Sequence, residues 1–167
     1  TPYRLCTFSS VCKEKGIEDA VHAVASVNET LGYTAYTLDI YGQVDSGQTE
    51  WFEQLMKAAP CEVQYKGSVA YDQSVAVIKN YFALLFPTQY YTEGIPGTII
   101  DAYAAGVPVI SSKWESFSDV IHEGITGVGY SFGALNELVE VLIRLADNPE
   151  TMIEKKIPCL RLAQEYT

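Results

Sequence analysis

Apolar residues along this chain switch repeatedly between strand-like runs and helical spacing. Tyr3–Phe8 is an apolar-rich, strand-like run, and Ile17, Ala20, Val21, Val24, Val27 and Leu31 then recur with the period of an α-helix. Thr37–Tyr41 is a short β-prone run stopped by Gly42, and Thr49–Ala59 returns to helical spacing through Phe52, Leu55, Met56 and Ala59 before Pro60. Cys61–Tyr65 reads as a brief strand closed by Gly67, Gln73–Tyr81 as a helix, and Phe82–Phe86 as a wholly apolar strand. Beyond it the pattern predicts a Gly/Pro-rich loop, a helix, a strand at Val107–Ser111 and a short helix near Ser116–His122. A turn at Gly124–Gly127, a strand around Val128–Tyr130, and helices near Ala134–Ala146 and Glu150–Tyr166 complete it. Apolar strands separated by helices predict an α/β fold: a Rossmann-like, doubly wound parallel sheet with helices on both faces. Ligands of such sheets sit beyond the carboxyl ends of the strands, where strand order reverses. Ser9–Gly16 and Thr88–Thr98 both follow strands and belong at that rim.

The second of these segments carries the chemistry. Glu93, Gly94, Ile95, Pro96, Gly97 and Thr98 lead into a helix, and Asp101 lies eight residues after Glu93. A helix start offers unpaired N–H groups and the positive end of the dipole, which favours an anion. Two carboxylates beside such a cradle suit a ligand with both a phosphate and several hydroxyls, as in a sugar nucleotide. His22 and His122 accompany no Ser or Cys nucleophile, so a hydrolase triad has no support. Tyr90, Tyr91 and Trp114 read as packing residues.

Composition narrows the partners. A chain of 167 residues is one ordinary domain, and a formal charge of −10 argues against nucleic acid and anionic membranes. No run approaches the ~20 apolar residues of a membrane span. Cys6, Cys12, Cys61 and Cys159 form no CxxC pair, which argues against a metal site and reads as reduced thiols of a cytosolic protein. No Asp-x-Asp pair is present to hold a sugar-nucleotide metal, and Gly-x-Gly-x-x-Gly is absent after the first strand, which disfavours a dinucleotide oxidoreductase. The chain enters a strand at once, without an initiator Met or leader, and reads as a fragment that begins mid-protein.

The run Thr92 to Ala102, followed by Ala105, Gly106, Val107, Pro108, Val109 and Ile110, resembles the donor-site signature of family 4 glycosyltransferases, retaining enzymes of the GT-B architecture. Lys13 to Ala20, Asp39 to Gly42, Val63 to Gly67 and Trp114 to Gly127 resemble further segments of that family in the same order. The resemblance implies that residues 1–167 are the donor-binding half of a GT-B enzyme, with an N-terminal acceptor domain and a returning C-terminal helix absent. By resemblance Glu93 holds sugar hydroxyls and acts with Lys15 in catalysis. Lys15 grips the diphosphate, Asp101 holds the ribose diol, and Gly94, Ile95, Pro96, Gly97 and Thr98 form the cradle. Two positions depart from the family: Ser10 stands where the first loop usually carries Arg, and Asp101 replaces Glu.

The implied reaction transfers a hexose from a UDP- or GDP-linked donor to an acceptor hydroxyl with retention at the anomeric carbon, without a metal or other cofactor. Lys15 and the helix start would meet the charge of the departing diphosphate. The implied acceptor is a glycan or glycolipid in surface polysaccharide or glycolipid synthesis, the implied location the cytoplasm, at the inner face of the membrane in the full-length protein. The alternatives are a sugar-nucleotide-binding module without catalysis and half of a GT-B epimerase.

Overall fold

The computed structural model describes all 167 residues. Six strands, β1 (Tyr3–Phe8), β2 (Tyr36–Tyr41), β3 (Val63–Gly67), β4 (Ala83–Phe86), β5 (Val109–Ser112) and β6 (Gly127–Tyr130), form one sheet in the order β3-β2-β1-β4-β5-β6. All neighbours pair in parallel, with Leu5 opposite both Leu38 on β2 and Ala83 on β4. The predicted Rossmann-like topology is thus present. Strand order reverses between β1 and β4, so the loops after these two strands face each other across a crevice.

Alternating side chains send the strands into two cores. Leu5, Leu38, Ile40, Leu85 and Ile110 face α1 (Ile17–Leu31), α2 (Thr49–Ala58) and α6 (Leu135–Asp147), within a cluster of 24 buried residues. Cys6, Leu84, Phe86 and Val109 face α3 (Ser74–Ile78), α4 (Gly97–Ala104), α5 (Phe117–Val120) and α8 (Lys156–Ala163), within a cluster of 18. Burial on both faces is why these strands read as continuous apolar runs.

Two predicted helices are shorter than their patterns. Glu150–Tyr166 is α7 (Glu150–Ile153), then α8, then a 3-10 turn at Gln164–Tyr166. Pro158 has no N–H to give the carbonyl of Glu154, and the break lets Met152 join one core while Cys159 and Leu162 join the other. Gln73–Tyr81 is helical only over Ser74–Ile78, after a 3-10 turn at Tyr71–Gln73. Past it, the Tyr81 hydroxyl turns inward to donate to Asp39 Oδ2 at 2.6 Å.

Two buried hydroxyls on the sheet, those of Thr7 and Tyr130, have no partner, whereas the buried amide beside β2 is used at both its oxygen and its nitrogen. Asn28 at the end of α1 accepts the N–H groups of Ala35 and Tyr36 and donates to the Tyr36 carbonyl, pinning the turn into β2. No helix is long and apolar enough to cross a membrane.

Candidate functional site

Three loops converge at the crevice because glycines let them. Gly16, at φ 73°, closes the β1 loop so tightly that a Cβ there would stand 1.8 Å from the Pro87 carbonyl oxygen. Gly42, at φ 132°, brings the β2 loop equally close to the Ser9 carbonyl, and the Val11 N–H donates to Gln43 O at 2.8 Å. No side chain is tolerated at either contact.

Across the crevice, Lys15 Nζ reaches both carboxylate oxygens of Glu93 at 2.9 Å. Both side chains are largely enclosed, at 23% and 12% exposure, so the pair is shielded more than a surface salt bridge. The Thr88 hydroxyl, itself buried, donates to Glu93 Oε2 at 3.0 Å and accepts the Tyr90 N–H. The Trp114 indole N–H donates to the Glu93 carbonyl at 3.0 Å, and Ser112 Oγ donates to the Thr88 carbonyl at 2.7 Å. Glu93 is therefore fixed through side chain and backbone by residues from the ends of β4 and β5.

At the carboxyl ends of the strands opens a cleft of about 500 Å³ lined by residues including Ser10, Gly97, Thr98 and Asp101. Gly97 is the first residue of α4 and no side chain caps that helix, so its leading N–H groups remain available for a ligand. Thr98 Oγ1 is buried without a hydrogen-bond partner. Burial raises the Asp101 carboxyl above its usual range. No cation lies within 4 Å of it to offset that shift.

The structure thus brings Ser10, Gly97, Thr98 and Asp101 into one cleft and joins Lys15 to Glu93, neither of which lines it. Glu93 and Asp101 do not share a surface: the first is held by Lys15, the second faces the cleft. Gly94, Ile95 and Pro96 form the connecting loop, with Ile95 61% exposed.

Trp114 is packed as expected, 2% exposed against Phe86 and Phe117. Tyr90 departs from the packing expectation at 53% exposed, because the short loop after β4 carries it past the end of the sheet, while Tyr91, 51% exposed, keeps an edge-on contact with the Phe132 ring at 5.2 Å. Sequence reasoning did not single out Thr88 or Ser112, nor Gln43, Ser68, Val69 and Ser74, which line the cleft from the segments after β2 and β3. The signal available was positional: Gly42 and Gly67 end strands at the ligand-binding rim.

With this geometry in view, residues 2–148 match the family described as Glycosyl transferases group 1. The chain belongs to that family.

Its fold is that of the C-terminal domain of GT-B glycosyltransferases. The amylovoran biosynthesis glycosyltransferase AmsK of Erwinia amylovora is 22% identical over 162 residues, covering 91% of this chain and 38% of that protein. An uncharacterised glycosyltransferase of Methanocaldococcus jannaschii is 21% identical over 149 residues, covering 87% and 36%. The chain therefore spans little more than a third of the length of these relatives. Among solved structures, HepE of Anabaena in complex with UDP-glucose superimposes with a TM-score of 0.85 at 15% identity, covering 98% of this chain and 44% of that one. The C-terminal domain of LpcC, a glycosyl transferase group 1 protein of Francisella tularensis, gives 0.82 at 14% identity, covering 98% and 85%.

Proposed function

We propose that this chain is the donor-binding half of a retaining, family 4 glycosyltransferase that moves a hexose from a UDP- or GDP-sugar to an acceptor hydroxyl. The observation that carries this reading is the joint placement of Lys15, Glu93 and the uncapped start of α4 at the point where strand order reverses.

In this reading the diphosphate lies against Gly97 and Thr98 and draws Lys15 toward it. The ammonium and the helix N–H groups then stabilise charge on the leaving diphosphate as the glycosidic bond breaks. Glu93, released from Lys15, accepts hydrogen bonds from sugar hydroxyls, and Asp101 accepts from the ribose diol. The acceptor approaches the face from which the nucleotide leaves, giving retention. It is bound by an N-terminal domain outside these residues and is a glycan or glycolipid. The full-length enzyme works in the cytoplasm at the inner face of the membrane, in surface polysaccharide or glycolipid synthesis. The AmsK relative, an amylovoran biosynthesis glycosyltransferase, supports the polysaccharide part of that assignment.

One observation favours a second reading, a sugar-nucleotide-binding module without catalysis. Ser10 lines the cleft where the resembling family carries Arg, so one guanidinium is missing from the diphosphate side.

Calorimetry with UDP and GDP, with and without EDTA, tests the proposal. Binding that persists in the chelator and weakens by about tenfold in Lys15→Met is expected. Absence of binding, or binding abolished by EDTA, rules out the metal-free donor site.

A further inference from the structure

The cleft has two walls of different character. One comes from α4, with Gly97, Thr98 and Asp101; the other comes from the segments after β2 and β3, with Gln43, Ser68, Val69 and Ser74. None of these last four is charged. Ser74 opens α3 and is 6% exposed, yet its hydroxyl makes no hydrogen bond within the protein. That hydroxyl is not sealed off, because the fully enclosed and unpartnered side-chain oxygens are only those of Thr7, Thr98 and Tyr130. Gln43 has its backbone fixed by Val11, while its exposed side-chain amide has no partner in the protein. A nearly buried hydroxyl and a free amide on one wall of a cleft are hydrogen-bonding groups without an internal use.

Resting on the nucleotide-sugar reading of the cleft, we infer that this wall selects the base and takes uracil in preference to guanine. Uracil presents an acceptor, a donor and an acceptor in sequence at O2, N3–H and O4. An amide supplies both a donor and an acceptor, and a hydroxyl serves as either, so Gln43, Ser68 and Ser74 complement that edge without a formal charge. Guanine presents N–H groups at N1 and N2 beside a single acceptor, a pattern that a carboxylate meets with two parallel hydrogen bonds. This wall holds no carboxylate. Asp101 stands on the α4 wall, and Asp72, the nearest acid in the chain to Ser74, is exposed and does not line the cleft. Val69 adds an apolar surface for the base.

The test is calorimetry of the chain with UDP, GDP and ADP, repeated for Gln43→Ala, Ser74→Ala and Asp72→Asn. UDP should bind at least about tenfold more tightly than GDP or ADP. Ser74→Ala and Gln43→Ala should each weaken UDP by roughly three- to tenfold, leaving GDP and ADP unchanged. Ser74→Ala removes only a hydroxyl, so loss of folding does not cloud the comparison. Equal affinities for the three, or a preference unmoved by both alanine variants, overturns the base assignment while leaving the donor site intact. A preference for GDP that disappears in Asp72→Asn also overturns it, and transfers base selection to Asp72. Failure of all three to bind removes the nucleotide-sugar reading itself.

Discussion

Gly97 and Gly94 have space around them that the fold does not use. A Cβ at either would meet nothing within 4 Å, and neither has the positive φ that would demand glycine. In the proposed function, what a glycine preserves there is room for a ligand to approach the backbone. Gly97→Ala should therefore leave the melting temperature unchanged or raise it, since Ala is favoured over Gly in a helix by up to ~1 kcal/mol. The same variant should lose about tenfold in affinity for UDP by calorimetry, because the methyl group stands where the diphosphate would lie. Loss of stability with unchanged affinity would show that this glycine serves the fold. Asp101 makes a prediction in pH. Burial raises its native carboxyl above the ordinary 3.8, so the native state keeps a proton that the unfolded chain has released. Its contribution to stability is full below 3.8 and is lost as pH rises through the native value. Asp101→Asn should then stabilise the ligand-free chain at neutral pH in thermal melts. Nucleotide affinity should instead rise with pH across that window in the parent and stay flat in Asp101→Asn, since only the ionised carboxylate accepts both ribose hydroxyls.

Among the elements, the turns after β1 and β4 are locked against each other. Gly16 has left-handed φ and its Cα hydrogen faces the Pro87 carbonyl, so Gly16→Ala meets both backbone strain and a backbone collision. It should cost more than ~2 kcal/mol in urea denaturation, in contrast to Gly97→Ala. The two glycines look alike in the sequence; only their surroundings separate a packing role from an open one. The same distinction marks what could be read from the residues alone. Apolar periodicity located all six strands, most plainly β1, β4 and β5, which send residues into both cores, while the edge strand β3 buries only Val63. The helix at Ile17–Leu31 was legible to its last residue, since Gly16 and Gly32 bracket it. The break before α8 was not, because the apolar spacing continues through it while the two halves serve different cores. Likewise Lys15 and Glu93 stood out by their position in a recognisable motif, but their direct contact, 78 positions apart, follows from the reversal of strand order. Thr88 and Ser112 gave no signal, being small polar residues whose work is to hold another side chain.

For the whole molecule, the proposed function gives this chain one side of a reaction. A donor cleft without an oriented acceptor lacks the effective molarity that makes transfer fast. Incubation of this chain with UDP-sugars and simple glycosides should therefore give no acceptor-dependent product by mass spectrometry; turnover would show that residues 1–167 bind the acceptor as well. If the proposed function holds, the Lys15–Glu93 pair bears on the rest of the cycle. At rest each charge satisfies the other, so a visiting molecule must compensate both partners if they are to separate. An intact donor can do this, with its diphosphate for the ammonium and its hexose hydroxyls for the carboxylate. The spent nucleotide has lost the hexose and can compensate only the ammonium. The pair would then re-form in competition with the bound product, a spring that resets once the sugar has gone, so that the step clearing the site is helped by the same two side chains that load it.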